Sequence, residues 1–148
     1  NSSLVITTGS GIDEIAYGYK VPIIHINFMP LGQSHSWKKS LTIPKRLFWK
    51  DSNKHLNLDE YLKFHNFFKT DDYDKANIKI IDLSKEEIFE IVKEGYAYFI
   101  EGKPIKREDL LITNKFRETI INSKDDIRDY HEFFNPEFVL SSNVFNVK

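Results

Sequence analysis

Leu4-Val5-Ile6-Thr7-Thr8-Gly9-Ser10-Gly11-Ile12-Asp13-Glu14-Ile15-Ala16 changes its periodicity in the middle. Its first residues are apolar and β-branched and read as a short buried strand, which Gly9-Ser10-Gly11 ends. Ile12, Ile15, Ala16 and Tyr19 then recur at helical spacing. Ser10 is placed to cap this helix, with Asp13 as the capping-box acid three positions on. Gly18 suits the helix C-terminus, and Pro22 prevents continuation. Ile23-Ile24-His25-Ile26-Asn27 is a second buried strand. Two apolar strands joined by one short helix predict a parallel, right-handed βαβ unit. The expected fold is therefore α/β, a partial Rossmann-like domain with parallel strands and C-terminal helices.

From Phe28 to Asn53 the periodicity disappears, and this stretch holds both tryptophans and most of the clustered positive charge. A helix is predicted from Asn57, with Glu60 as capping-box partner and Leu58, Tyr61, Leu62, His65 and Phe68 on one face. Asp71-Asp72-Tyr73-Asp74 reads as a polar turn and Ile78-Lys79-Ile80-Ile81 as a third strand. Ser84 and Glu87 form another capping box, ahead of a helix with Ile88, Ile91, Val92, Tyr96 and Phe99 as its stripe. Gly102 and Pro104 break the chain before a helix over residues 108–121. A shorter helix is predicted over 125–134, and Pro136 starts a last helical turn.

At 148 residues the chain fits one domain with a real core, residues 1–148, and 41% hydrophobic content argues against disorder. A formal net charge of -1 argues against a global nucleic-acid-binding surface. The absence of cysteine excludes disulfides, thiolate metal sites and cysteine nucleophiles, and it suits a reducing, cytoplasmic compartment. No apolar run has the length of a membrane span. The first residue is Asn1 rather than Met, and a buried strand follows almost at once, so the expectation is a fragment whose N-terminal partner domain is missing.

The strongest site-like feature is Thr8-Gly9-Ser10-Gly11 at the strand-to-helix junction, because open parallel sheets bind ligands beyond the carboxyl ends of their strands. A glycine turn there lets a diphosphate approach the backbone N–H groups, although a plain tight turn accounts equally well for two glycines. Asp13 and Glu14 put negative charge in the first turn, which suits ribose hydroxyls better than phosphate. A dehydrogenase reading fails. Glu14 replaces the third glycine of the dinucleotide fingerprint, and Asn27 stands where a ribose-binding acid is expected. The lysine of a phosphate-binding P-loop is also absent.

The loop after the second strand offers Gly32, Gln33, Ser34, His35 and Ser36 to sugar hydroxyls, an ordinary polar loop being the other reading. His35 is the one weak candidate for a general base, whereas His25, inside the strand, reads as a core histidine. Lys38, Lys39, Lys45, Arg46, Lys50 and Lys54 stand against Asp51 alone between positions 38 and 54. Such a cluster could hold a diphosphate, rest on anionic lipid at the inner face of a membrane, or be a solvated face. No metal-ligand spacing or nucleophile elbow occurs, and Asp71, Asp72 and Asp74 read as a solvated turn.

Ser10-Gly11-Ile12-Asp13-Glu14-Ile15-Ala16, followed by Gly18 and Pro22, resembles the donor-binding segment of GT-B glycosyltransferases. Thr8-Gly9-Ser10-Gly11, the Pro-Leu-Gly of residues 30–32, Ile43-Pro44-Lys45 and Asn135-Pro136-Glu137-Phe138 resemble motifs in the C-terminal part of a bacterial glycosyltransferase family. The resemblance implies a two-domain enzyme of surface-polysaccharide synthesis that moves a sugar from a nucleoside diphosphate to a carbohydrate or lipid-linked acceptor. It implies Gly9, Ser10 and Gly11 along the diphosphate, Glu14 at the ribose, Gly32 to Ser36 facing the sugar, and no bound metal or other cofactor. Two rivals remain at this level: a sugar-nucleotide epimerase of the same fold, and a non-catalytic binding module.

Overall fold

The structure, a computed structural model, describes residues 2–145. The predicted βαβ unit is present as β1 (Val5–Thr7), α1 (Ile12–Gly18) and β2 (Ile23–Phe28). The strands run parallel, with Val5 opposite Ile23 and Thr7 opposite His25. The cap of α1 differs from expectation. Gly11, not Ser10, is the N-cap residue, and no side chain caps the helix. Asp13 is turned inward and fully buried, because its carboxylate bonds His25 rather than the helix end.

The stretch without periodicity contains two strands, β3 (Ser40–Pro44) and β4 (Arg46–Trp49). β3 lies parallel to β2, with Ile24 opposite Leu41, and all five of its residues are buried. Its polar members are satisfied internally: the Ser40 hydroxyl donates to the Lys38 carbonyl, and Thr42 meets His25. A strand buried on both faces that carries Ser and Thr lacks the continuous apolar run by which such strands are recognised.

The segment after Pro136 is a strand, β6 (Phe138–Leu140), not a turn of helix. Asn135 anchors it, donating its N–H to the Ser36 carbonyl and its side-chain amide to the Trp37 carbonyl. β6 then pairs parallel to β3, Ser40 opposite Phe138. The result is a four-stranded parallel sheet in the order β1-β2-β3-β6. The predicted third strand, β5 (Ile78–Ile81), is a strand but lies outside this sheet, pairing antiparallel with β4 in a two-stranded ribbon.

Capping boxes at Asn57/Glu60 and Ser84/Glu87 are both formed, opening α2 (Leu58–Lys63) and α4 (Lys85–Phe99). α2 is shorter than its apolar pattern implied, and Phe68, beyond its end, is exposed. Residues 71–74 lie in a short helix, α3 (Thr70–Lys75), with Tyr73 buried as its anchor. α4 crosses β2 closely: a Cβ on Gly95 would come within 2.4 Å of Ile24 Cδ1. α5 (Arg107–Ile121) packs on β6, where the Leu140 N–H donates to the Thr113 hydroxyl at 2.9 Å. The segment after α5 is a 3-10 helix, Asp126–His131. Ile24, Leu41, Ile91, Phe116 and Val139 are central core residues. β1 forms one edge of the sheet, and Ile12, Ile15 and Tyr19 of the neighbouring segment are exposed.

Candidate functional site

Parallel pairing puts the carboxyl ends of β1 and β2 side by side, so the glycine turn and the loop after β2 share one end of the sheet. Thr8, Gly9, Ser10 and Gly11 are all exposed there. The two glycines have different reasons to exist. Gly9 has φ +92, and a Cβ on it would sit 2.7 Å from the Phe28 ring, so the turn itself requires glycine. Gly11 has an ordinary φ of -55, and a Cβ there would meet nothing within 4 Å. No packing demand accounts for it. The Gly9 N–H donates to the Thr7 hydroxyl at 3.2 Å, and those of Asp13 and Glu14 are taken by the Ser10 and Gly11 carbonyls, which leaves Ser10 to Ile12 as the backbone a ligand would meet.

Beneath the turn lies a polar cluster that no local spacing revealed. The His25 Nε2–H donates to Asp13 Oδ2 at 2.9 Å, and its Nδ1 faces the Thr42 hydroxyl at 3.3 Å. Asp13 and His25 are both fully buried. The expectation of a satisfied core histidine therefore holds, with Asp13 as the unexpected partner. His35 lies beside the pair, its Nδ1 3.7 Å from Asp13 Oδ2, and keeps 21% side-chain exposure. The Lys38 ammonium donates to His35 Nδ1 at 3.0 Å and to Glu14 Oε1 at 2.6 Å. The Lys38 side chain is fully buried, whereas Glu14 remains 62% exposed. The aromatic ring of Phe28 stands edge-on to both histidines, and Trp37 lies against His35.

Burial lowers the pKa of His25 to about 4, the Asp13 carboxylate only partly offsetting it. Burial, followed by the Lys38 charge, also lowers that of His35. Because Lys38 donates to His35 Nδ1, the His35 hydrogen resides on Nε2. Asp13, His25 and His35 offer donor atoms within 4.8 Å of one another, and they form the one such metal-capable group found among the described residues.

The remaining predicted residues are distributed otherwise. Gly32 is packed within the protein, since a Cβ on it would lie 2.4 Å from His65 Cβ, and its carbonyl accepts from His131 Nε2 at 2.7 Å. Gln33 donates to the His65 carbonyl, and the Ser36 hydroxyl is held by His131 Nδ1 at 2.6 Å. Ser34 is fully buried, and its hydroxyl has no partner. Of this loop stretch, His35 is the member brought to the cluster beneath the turn. Lys45 pairs with Asp82 at 2.8 Å.

The local positive charge is largely neutralised by the fold. Lys38, Lys39, Lys45, Arg46 and Lys50 pair with Glu14, Glu137, Asp82, Glu87 and Asp74 respectively. No described helix is long and apolar enough to cross a membrane.

A second polar cluster, half-buried, joins α4 to α5. The Tyr98 hydroxyl faces Glu94 at 3.0 Å and Asp109 at 2.9 Å while accepting the Lys106 N–H at 3.2 Å. One hydroxyl hydrogen cannot serve two carboxylates fully. Burial, followed by the hydrogen bond with Asp109, pushes the Glu94 carboxyl up to about 7, the Lys106 ammonium at 2.9 Å only partly offsetting it.

No family model, no curated protein and no solved structure matches the chain. The class of molecule rests on its own geometry: a mixed α/β protein with a four-stranded parallel sheet and a glycine turn at the carboxyl end of its edge strand.

Proposed function

We propose that this chain is the nucleotide-sugar-binding part of a GT-B-type glycosyltransferase, serving a surface-polysaccharide or glycolipid acceptor. The observation that carries the reading is Gly11. It stands exposed at the end of β1, free of any packing demand, one helical turn before an exposed Glu14 whose carboxylate is anchored by buried Lys38. A bare backbone beside a fixed carboxylate matches a diphosphate followed by a ribose. Lys38 leaves Glu14 Oε2 for a ribose hydroxyl, and His35, the partly exposed imidazole of the cluster, is the candidate to exchange a proton with a sugar once Lys38 releases its Nδ1. Gly32 and Ser36, already engaged inside the protein, take no direct part in this reading.

The test is calorimetric titration with nucleoside diphosphates. Gly11→Val fills space that is open in the protein alone, so the variant folds, and the branched side chain blocks only a ligand at the turn. Loss of binding with unchanged circular dichroism supports the assignment. A folded Gly11→Val that binds as tightly as the parent removes it.

A further inference from the structure

We infer that Asp13, His25 and His35 form a binding site for a single divalent transition-metal ion, zinc being the best fit. This inference does not rest on the glycosyltransferase reading, and it departs from the metal-free chemistry which the family resemblance implies.

The first observation is convergence. Asp13 comes from α1, His25 from β2 and His35 from the following loop, yet their donor atoms meet within 4.8 Å. Zinc bonded at about 2.0–2.2 Å in a tetrahedron sets its ligand atoms about 3.3 Å apart. The Asp13–His25 and Asp13–His35 separations, 2.9 and 3.7 Å, fall either side of that value. One carboxylate and two imidazoles are borderline ligands suited to zinc, iron or cobalt, rather than the all-oxygen set that magnesium and calcium require.

The second observation is an unsatisfied buried carboxyl group. Asp13 is fully buried, its Oδ1 has no hydrogen-bond partner, and its Oδ2 faces only the ring nitrogens of His25 and His35. A buried carboxylate demands either full hydrogen bonding or a nearby cation. Lys38 belongs to the same cluster, but its shortest contact is to Glu14, at 2.6 Å. A metal between the three donors compensates Asp13 directly.

The third observation lies behind the ligands. The Thr42 hydroxyl meets His25 Nδ1, so it can accept a hydrogen there and release Nε2 as a lone-pair donor facing the site. Thr42 is fully buried on central strand β3, which holds the ring rigidly. His35 is the partly exposed ligand, and so it marks the side of entry. Three protein ligands leave a coordination position for water or another oxygen donor, the pattern of a reactive rather than a closed structural zinc site. Lys38 Nζ lies 3.0 Å from His35 Nδ1, the atom that binds the metal. Metal entry therefore requires the ammonium to withdraw onto Glu14, and the two cations compete.

The experiment uses the full chain and the metal alone. Cobalt(II) is titrated into metal-stripped protein, following visible ligand-field absorption, and zinc is then used to displace it. The expected result is one cobalt per chain with an intense tetrahedral or five-coordinate spectrum, abolished in His35→Ala and Asp13→Asn. Thr42→Val leaves all three ligands in place and weakens binding about 10- to 100-fold. Lys38→Met tightens it. His35 is not fully buried, so His35→Ala keeps the test valid should Asp13→Asn unfold. Absence of a ligand-field band in the parent, or a band unchanged in folded His35→Ala, overturns the inference.

Discussion

Gly9→Ala and Gly11→Ala, two substitutions of identical chemistry two residues apart, should have very unequal consequences for the fold. At position 9 the backbone has φ +92, where an L side chain costs about 1–2 kcal/mol. The added Cβ also lies 2.7 Å from Phe28 Cε2 and 3.0 Å from Cδ2. Phe28 cannot yield freely, since its ring is wedged against His25 and His35 at centroid distances of 5.3 and 5.4 Å. Overpacking of this kind adds about 1–3 kcal/mol. The sum centres on roughly 3.5 kcal/mol, which for a domain of this size lowers the melting midpoint by roughly 7–14 °C. At position 11 the φ is -55 and the space is open, so the change stays within about 0.5 kcal/mol. Urea titration and thermal melting, followed by circular dichroism, measure both. Equal losses at the two positions, or a greater loss at Gly11, would refute the division of the turn into a structural and a ligand-facing glycine.

Glu14→Ala should weaken a ribonucleoside diphosphate by roughly 1–3 kcal/mol and leave its 2′,3′-dideoxy analogue nearly unaffected; equal losses in calorimetry would remove the ribose role. Because that change also strips buried Lys38 of its carboxylate, Glu14→Gln should be the more stable of the two variants by urea midpoint. Glu94 titrates at about 7 in the folded protein against an ordinary 4.5, so the native state holds a proton that the unfolded chain releases. That contribution is complete below pH 4.5 and lost as pH rises through 7, so the stability of the parent relative to Glu94→Gln should fall across this range. Parallel pH profiles for the two proteins would exclude a titrating Glu94. Under the glycosyltransferase reading, residues 1–148 alone should bind a donor without transferring its sugar, because acceptor alignment and a base from a second domain supply much of the rate. Acceptor-dependent transfer by this chain, assayed with a panel of sugar nucleotides, would contradict the two-domain proposal.

What the sequence by itself determined is local. The β1–α1–β2 unit was legible because apolar runs, a glycine stop and helical spacing sit next to one another in the chain. The caps at Asn57/Glu60 and Ser84/Glu87 were legible for the same reason: a capping box is a contact three residues long. Ser10 and Asp13 carry that same signature, yet the box does not form. His25, twelve residues further along the chain and held from behind by Thr42, offers Asp13 a buried hydrogen bond that replaces the capping contact at the exposed helix end. β3 and β6 were illegible because their stability comes from neighbours on both edges and faces rather than from their own patterns. The cluster Asp13, His25, His35 and Lys38 was invisible as a site for a related reason. Its members belong to a helix, a strand and a loop, at separations that match no local ligand spacing, and parallel pairing alone brings them to one end of the sheet. Charge followed the same rule: of six clustered bases that could have held a diphosphate, rested on lipid or faced solvent, five became members of ion pairs once carboxylates from residues 14, 74, 82, 87 and 137 arrived. Propensity and capping act over a few residues and can be read in order. Desolvation, charge compensation and strand pairing depend on what the folded chain places alongside, and only the tertiary structure decides that.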